Sequence, residues 1–257
     1  MPEPAPVEAP GVLLRLEGVE QFYGEKIKIL GPIDLEVREG EFLSLVGPSG
    51  CGKSTILRIV AGVLKPTVGT VRVGDRPLRG VNTRAAMVFQ SFALFPWLKV
   101  VDNVAVGLEA RGLPPRERLK RAEKYIGLVG LSGYERAFPR ELSRGMKQLV
   151  GLARALTVEP ELLCMDEPFS ALDVLTARSI RDLVLDLWAS PEVTTKTILL
   201  VTHSIEEAVA LSDRVIVMKA NPGRIAEEVD LRPLPRPRRP DRPEVRETVD
   251  RMYALLA

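Results

Sequence analysis

The chain carries 257 residues with 36 Lys and Arg against 34 Asp and Glu, and the resulting net charge of +2 argues against a general nucleic-acid binder. Apolar residues make up 46%, yet no apolar run nears the ~18 residues of a membrane span, so the polypeptide is expected to be soluble on its own. Its length suffices for a full core, either as one large domain or as a core with an inserted subdomain.

The first residues, Met1-Pro2-Glu3-Pro4-Ala5-Pro6, belong to a proline-rich leader that runs to Pro10. It lacks the basic start and apolar stretch of a secretory signal, which makes a cytoplasmic location the default expectation. Residues 12–19 and 33–37 alternate as strands do, and Arg38-Glu39-Gly40-Glu41 reads as a hairpin turn between Val37 and Phe42. The apolar run Glu41-Phe42-Leu43-Ser44-Leu45-Val46 then leads into Gly47-Pro48-Ser49-Gly50-Cys51-Gly52-Lys53-Ser54-Thr55, which matches the phosphate-loop pattern G-x-x-x-x-G-K-[ST]. Gly47, Gly50 and Gly52 let the chain curl so that successive N–H groups converge on phosphate oxygens. Lys53 opens a helix to about Gly62, whose free N-terminal amides and positive dipole end face the same anion. Lys53 is expected to bridge the β- and γ-phosphates, and Ser54 to take a place on Mg²⁺. A nucleoside triphosphate is therefore the expected ligand.

Further strands are expected at residues 70–73, 85–89, 162–165, 197–202 and 214–219. Between about Ser91 and Leu156 the pattern turns to helical periods, broken at Pro114-Pro115 and Ser132-Gly133, as in a helical insertion. From Ala177, the positions Ile180, Leu183, Val184, Leu187 and Trp188 form one helix face that stops at Ser190-Pro191. Alternating strands and helices imply a parallel sheet with both faces covered. The run Leu231-Arg232-Pro233-Leu234-Pro235-Arg236-Pro237-Arg238-Arg239-Pro240 reads as a solvated polyproline linker, with docking against acidic lipid or a membrane subunit as the alternative. Residues 245–256 suit a short amphipathic helix. Cys51 and Cys164 are the only thiols and form no metal-type cluster; Cys51 fills a small position in the loop, where an accessible thiol would make nucleotide binding sensitive to alkylation.

Several motifs narrow the choice among phosphate-loop proteins. Leu162-Leu163-Cys164-Met165-Asp166-Glu167 is an apolar strand ending in two acids, with Asp166 expected to hold Mg²⁺ through water and Glu167 to polarise the attacking water. Pro168 and Ser170-Ala171-Leu172-Asp173 follow. With these, the chain resembles the ATP-binding cassette (ABC) transporter ATPases from about Val12 to Glu228. The resemblance implies an α/β fold: a P-loop NTPase (RecA-like) core with an antiparallel β subdomain at residues 12–90 and 157–230, an inserted α-helical subdomain at 91–156 and a Pro/Arg-rich extension at 231–257.

On the same resemblance, Tyr23 stacks on adenine, Gln90 reaches Mg²⁺ and the water, and His203, the sole histidine, contacts the γ-phosphate. Ser204-Ile205-Glu206-Glu207 has the form of a capping box that starts a helix beside the imidazole. Leu142-Ser143-Arg144-Gly145-Met146 is similar to the family's signature loop, with Arg144 in place of a glycine and Leu149 where an arginine is common. Ser143, the Gly145 amide and the helix end can still meet a γ-phosphate. Arg144 strains the loop if a glycine-like backbone is needed there, and otherwise adds charge or points to solvent. The family pattern implies a head-to-tail dimer with ATP at the interface, coupled through Asp173. The apolar segment 91–98 is read as partly core, with an exposed groove lined by Phe95 and Trp97 expected to accept a helix of a membrane permease. Residues 92–112 and 212–225 are similar to the nitrate, sulfonate, taurine and bicarbonate import group, which implies a peripheral protein on the cytoplasmic face of the membrane working with a permease and a solute-binding protein. Two rivals remain at this level. A regulatory ABC protein usually carries two cassettes or a coiled-coil insertion, and a small-molecule kinase or GTPase leaves the signature loop and His203 unexplained.

Overall fold

The computed structural model describes residues 11–24 and 26–256, so the proline-rich leader lies outside the described residues. β1 (Val12–Tyr23) and β2 (Ile27–Arg38) form a long antiparallel pair, and the chain then enters β3 (Phe42–Val46) and α1 (Lys53–Val60). β4 (Val68–Val73) pairs with the other side of β1, the short β5 (Arg76–Pro77) closes that sheet, and β6 (Ala85–Val88) begins a return to the main sheet. Three helices follow: α2 (Val100–Ala110), α3 (Pro115–Leu128), which Pro115 opens at the first helical position, and α4 (Arg144–Thr157). The rest alternates through β7 (Leu162–Asp166), α5 (Val174–Ala189), β8 (Thr197–Thr202), α6 (Ile205–Leu211), β9 (Arg214–Lys219), β10 (Arg224–Asp230) and α7 (Pro243–Leu256).

The main sheet has the order β10-β9-β3-β8-β7-β6, parallel from β9 to β6, with β10 antiparallel at its edge. β3 is buried along its whole length, and successive residues feed opposite faces: Phe42 joins the cluster under α4 and α5, whereas Leu43 and Leu45 join the one that includes α1 and the β subdomain. α5 seats Ala177, Ile180, Val184 and Leu187 in the first cluster, and Trp188 meets Phe42 edge-on at 5.9 Å.

The turn at residues 38–41 is not a hairpin, because both edges of β3 are already taken by β8 and β9 and β2 belongs to the other sheet. It passes the chain between sheets instead. Gly40 donates to Thr197 Oγ1 at 3.0 Å, and the Glu41 carboxylate takes the Arg38 amide at 2.6 Å and the buried Arg214 guanidinium.

Residues 91–98 are not helical either. Phe92 and Ala93 adopt φ of 63° and 48°, and their carbonyls accept hydrogen bonds from Arg154 at 3.0 and 2.6 Å. The fully buried Asn103 amide then accepts from Phe95 N and donates to the carbonyls of Phe95, Leu98 and Lys99. A linking segment is thus pinned to α2 and α4 by side chains.

The Pro/Arg-rich run is not a solvated linker. Leu231 is fully buried and Arg238 is 6% exposed, while Val245 and Met252 of α7 pack with α6 and β9. Arg238 can leave water because backbone carbonyls replace it on every side that matters, as described below.

Behind the phosphate loop, the turn from β9 to β10 comes very close: Gly223 exchanges hydrogen bonds with Gly31 and Ile29, and a Cβ on it would stand 2.1 Å from the Cys51 carbonyl oxygen. Its φ lies outside the left-handed region, so the need for glycine there is steric. Gly223→Ala is expected to lower stability by about 1–3 kcal/mol through overpacking against the loop. A urea unfolding midpoint equal to that of the parent protein would refute this.

Candidate functional site

Parallel pairing sets β3, β7 and β8 side by side, with Val46 opposite Thr202 and Asp166 opposite Val201. Their carboxyl ends therefore deliver the phosphate loop, Asp166-Glu167 and His203 to one rim of the sheet, where open α/β sheets bind ligands.

The loop begins at Gly47, where a Cβ would meet the Met218 carbonyl oxygen at 2.6 Å, and ends at Gly52, whose φ of 94° is left-handed. Lys53 is only 5% exposed, and its Nζ donates to the carbonyls of Gly47 at 2.7 Å and Pro48 at 3.1 Å, with Cys51 Sγ at 3.8 Å. Among the described residues no carboxylate pairs with it. The first bond of α1 runs from Ile56 N–H to Gly52 O, which leaves the amides of Lys53, Ser54 and Thr55 free of helical partners. A buried ammonium on the first turn of a helix whose leading amides are free suits an anion.

Ser54 Oγ donates to Asp166 Oδ1 at 2.8 Å, which brings the hydroxyl and the first acid together. The described residues contain no cluster of three ligating His, Cys, Asp or Glu, and Mg²⁺ commonly binds through one or two carboxylates with water and substrate phosphate as its other ligands. The residues fit such an ion. Glu167 has a φ of 44°, a left-handed angle unusual for a side chain of this size, and its amide donates to Val201 O at 2.8 Å. That geometry turns its carboxylate between Gln90 Nε2 at 3.4 Å and His203 Nδ1 at 3.3 Å. Ser170 completes the group, accepting from Gln90 at 3.1 Å and donating to Glu167 O at 3.0 Å. Its place within Ser170-Ala171-Leu172-Asp173 was the only available signal for it in the sequence.

Beside His203, Ser204 caps α6 by accepting from Glu207 N, but the return half of the capping box is relayed. Ser204 N–H donates to Thr202 Oγ1 at 3.1 Å, which in turn donates to Glu207 Oε2 at 2.7 Å. Arg181 of α5 approaches the same carboxylate at 3.7 Å.

Among the described residues, the side chains of the remaining expected residues form no hydrogen bond to the loop. Ser143 caps α4 through Met146 N at 3.2 Å, and Asp173 caps α5 through Thr176 N at 3.0 Å; these backbone contacts hold the Asp173 carboxyl below its usual range. A Cβ on Gly145 would meet Thr176 Cγ2 at 2.5 Å, so the glycine lets α4 and α5 approach. Arg144 is exposed in the first turn of α4 with an ordinary helical backbone, so it brings no strain to the loop. Tyr23 ends β1 and is 76% exposed, its ring open to a stacking partner. Cys51 is wholly buried, which removes the accessible thiol considered above, and burial pushes the Cys164 thiol up to about 12.

Residues 30–170 match the family model described as ABC transporter. The taurine import ATP-binding protein of Pseudomonas aeruginosa is 46% identical over 208 residues, covering 81% of this chain and 78% of its own. The nitrate import ATP-binding protein of Synechocystis is 42% identical over 212 residues, covering 82% and 79%. A dimeric ATP-binding cassette solved in a post-hydrolysis state with ADP and Pi superimposes with a TM-score of 0.74 at 34% identity, covering 85% of this chain and 98% of that one. The span of the family match, joined to the extent of these relatives, establishes that the chain belongs to the ABC transporter ATP-binding proteins and is an ATPase of the P-loop type.

Proposed function

We propose that the protein is the ATP-hydrolysing subunit of an ABC importer for a small anion of the nitrate, sulfonate, taurine or bicarbonate class. The observation that carries the reading is Lys53, a buried cation without a carboxylate, set where the amides of α1 converge. Likeness to taurine and nitrate import subunits supports the substrate class.

In this reading the loop from Gly47 to Thr55 cradles the triphosphate, Lys53 binds the β- and γ-phosphates, and Tyr23 stacks on adenine. Ser54, Asp166 and Gln90 hold Mg²⁺, which supplies charge neutralisation at the phosphates. Glu167 orients and polarises the attacking water, and His203, 3.3 Å from that carboxylate, contacts the γ-phosphate. Ser143, the Gly145 amide and Asp173 act on the nucleotide of a second copy, which agrees with the dimeric form of the similar cassette. Two shared sites then close when ATP bridges the copies and part when hydrolysis removes the bridge.

No described helix is long and apolar enough to cross a membrane; in this reading motion passes to a separate permease, as the import subunits this chain resembles suggest. Trp97 is 70% exposed and lies 5.6 Å from the Phe95 ring, on a segment fixed by Arg154 and Asn103. This firm apolar surface suits a permease helix. The protein would work peripherally on the cytoplasmic face of the membrane, with a solute-binding protein delivering cargo to the permease.

Glu167→Gln is expected to slow steady-state hydrolysis by ~10²- to 10⁴-fold while ATP still binds, the usual cost of losing a general base. Parent-level turnover in that variant would remove the assignment. Replacing both Phe95 and Trp97 by alanine is expected to weaken co-purification with the permease and to leave nucleotide affinity intact; undiminished assembly would show that the permease docks elsewhere.

A further inference from the structure

The Pro/Arg-rich segment that follows the nucleotide-binding core is bound at its arginines to one short helix, and that helix begins immediately beyond His203. α6 spans Ile205–Leu211, and with so few residues its last carbonyls have little internal support. Arg238 supplies it from outside. Its guanidinium donates to Val209 O at 3.2 Å and to Ser212 O, while its other donors hold Leu231 O at 2.7 Å and Leu234 O at 3.0 Å in the segment itself. Burial pulls the Arg238 pKa down to about 10, so the group keeps its charge at neutral pH and meets the negative end of the helix dipole. Arg236 adds a bond to Leu211 O at 2.5 Å, an ion pair with Asp213 at 3.0 Å and a stack on Trp188 at 4.5 Å.

The opposite end of α6 is tied to the same segment by its terminal helix. Tyr253 OH of α7 donates to Glu206 Oε1 at 2.7 Å, and the other oxygen of that carboxylate accepts from Ser204 Oγ at 3.0 Å. Ser204 is the residue after His203 and the cap of α6. One segment therefore grips the short helix at both ends, by arginines on its carbonyls and by a tyrosine acting through the cap.

We infer that the C-terminal segment is a strap that sets the position of His203, with Arg238 and Tyr253 as positioning residues. The catalytic consequence rests on the placement of His203 in the ATP site given above; the structural consequence does not. Imidazole placement at such a site is sensitive, since displacements of about 1 Å cost up to ~10²-fold in rate.

His203 is the only histidine, so its imidazole resonances in the full chain are unambiguous. The test compares the parent with Tyr253→Phe, which removes one exposed hydroxyl, and with Arg238→Met, which keeps the aliphatic stem and removes the donors. Nitrogen-15 spectra of the imidazole at fixed pH are expected to show shifted or exchange-broadened His203 signals in both variants, with kcat for ATP lowered by about 10-fold and KM within about twofold. Should Arg238→Met fail to fold, Tyr253→Phe decides alone. Unchanged His203 resonances beside a lower melting temperature would overturn the inference and leave the strap a stabilising element only. Shifted resonances in a protein that never hydrolyses ATP, even with its permease, would uphold the strap and remove the proposed function.

Discussion

The Lys53 ammonium is 5% exposed and donates to the carbonyl oxygens of Gly47 and Pro48, and among the described residues no carboxylate pairs with it. Much around it exists to maintain that arrangement. The loop has to curl tightly enough to turn those carbonyls inward, and β9 and the β9–β10 turn have to press on it from behind, where Met218 O and Gly223 leave no room for a Cβ. A phosphate bound there would supply opposite charge beside the ammonium, and binding to the folded state alone stabilises that state. Ligand and loop are thus linked through stability as well as contact.

The parallel sheet sets this loop beside other chemistry. Because β3, β7 and β8 are adjacent and in register, their ends bring the phosphate loop, two acids and an imidazole to one rim without long loops. Gln90 is the exception. It lies beyond the edge strand β6 and directly before the segment that Arg154 and Asn103 fasten to the helical subdomain. Its side chain spans from that segment to the Glu167 carboxylate at 3.4 Å.

What could be read from the residues follows from how locally each feature is determined. The phosphate loop and the buried strands were plain because glycine spacing and uninterrupted apolar runs have few other uses. Arg38-Glu39-Gly40-Glu41 misled because a turn between strands looks alike whether the strands pair or part company, and only the occupied edges of β3 decide. β10 went unseen because its edge position leaves Glu227, Glu228 and Asp230 in a sequence with few apolar residues. The left-handed angle at Glu167 and the Thr202 relay had no local signal, since both arise from what neighbouring strands place nearby. The arginine-rich run was misjudged for the opposite reason. Its composition favours exposure, and only carbonyls from distant parts of the chain make burial tolerable.

Ser143 accepts a backbone proton from Met146, and this secures α4 by using a lone pair and leaves the hydroxyl hydrogen uncommitted. Donating that hydrogen to an anion on another molecule costs the helix nothing. In the proposed dimer, the Ser143 face could therefore engage the second copy's nucleotide with the cap of α4 intact, which spares association an ordering penalty.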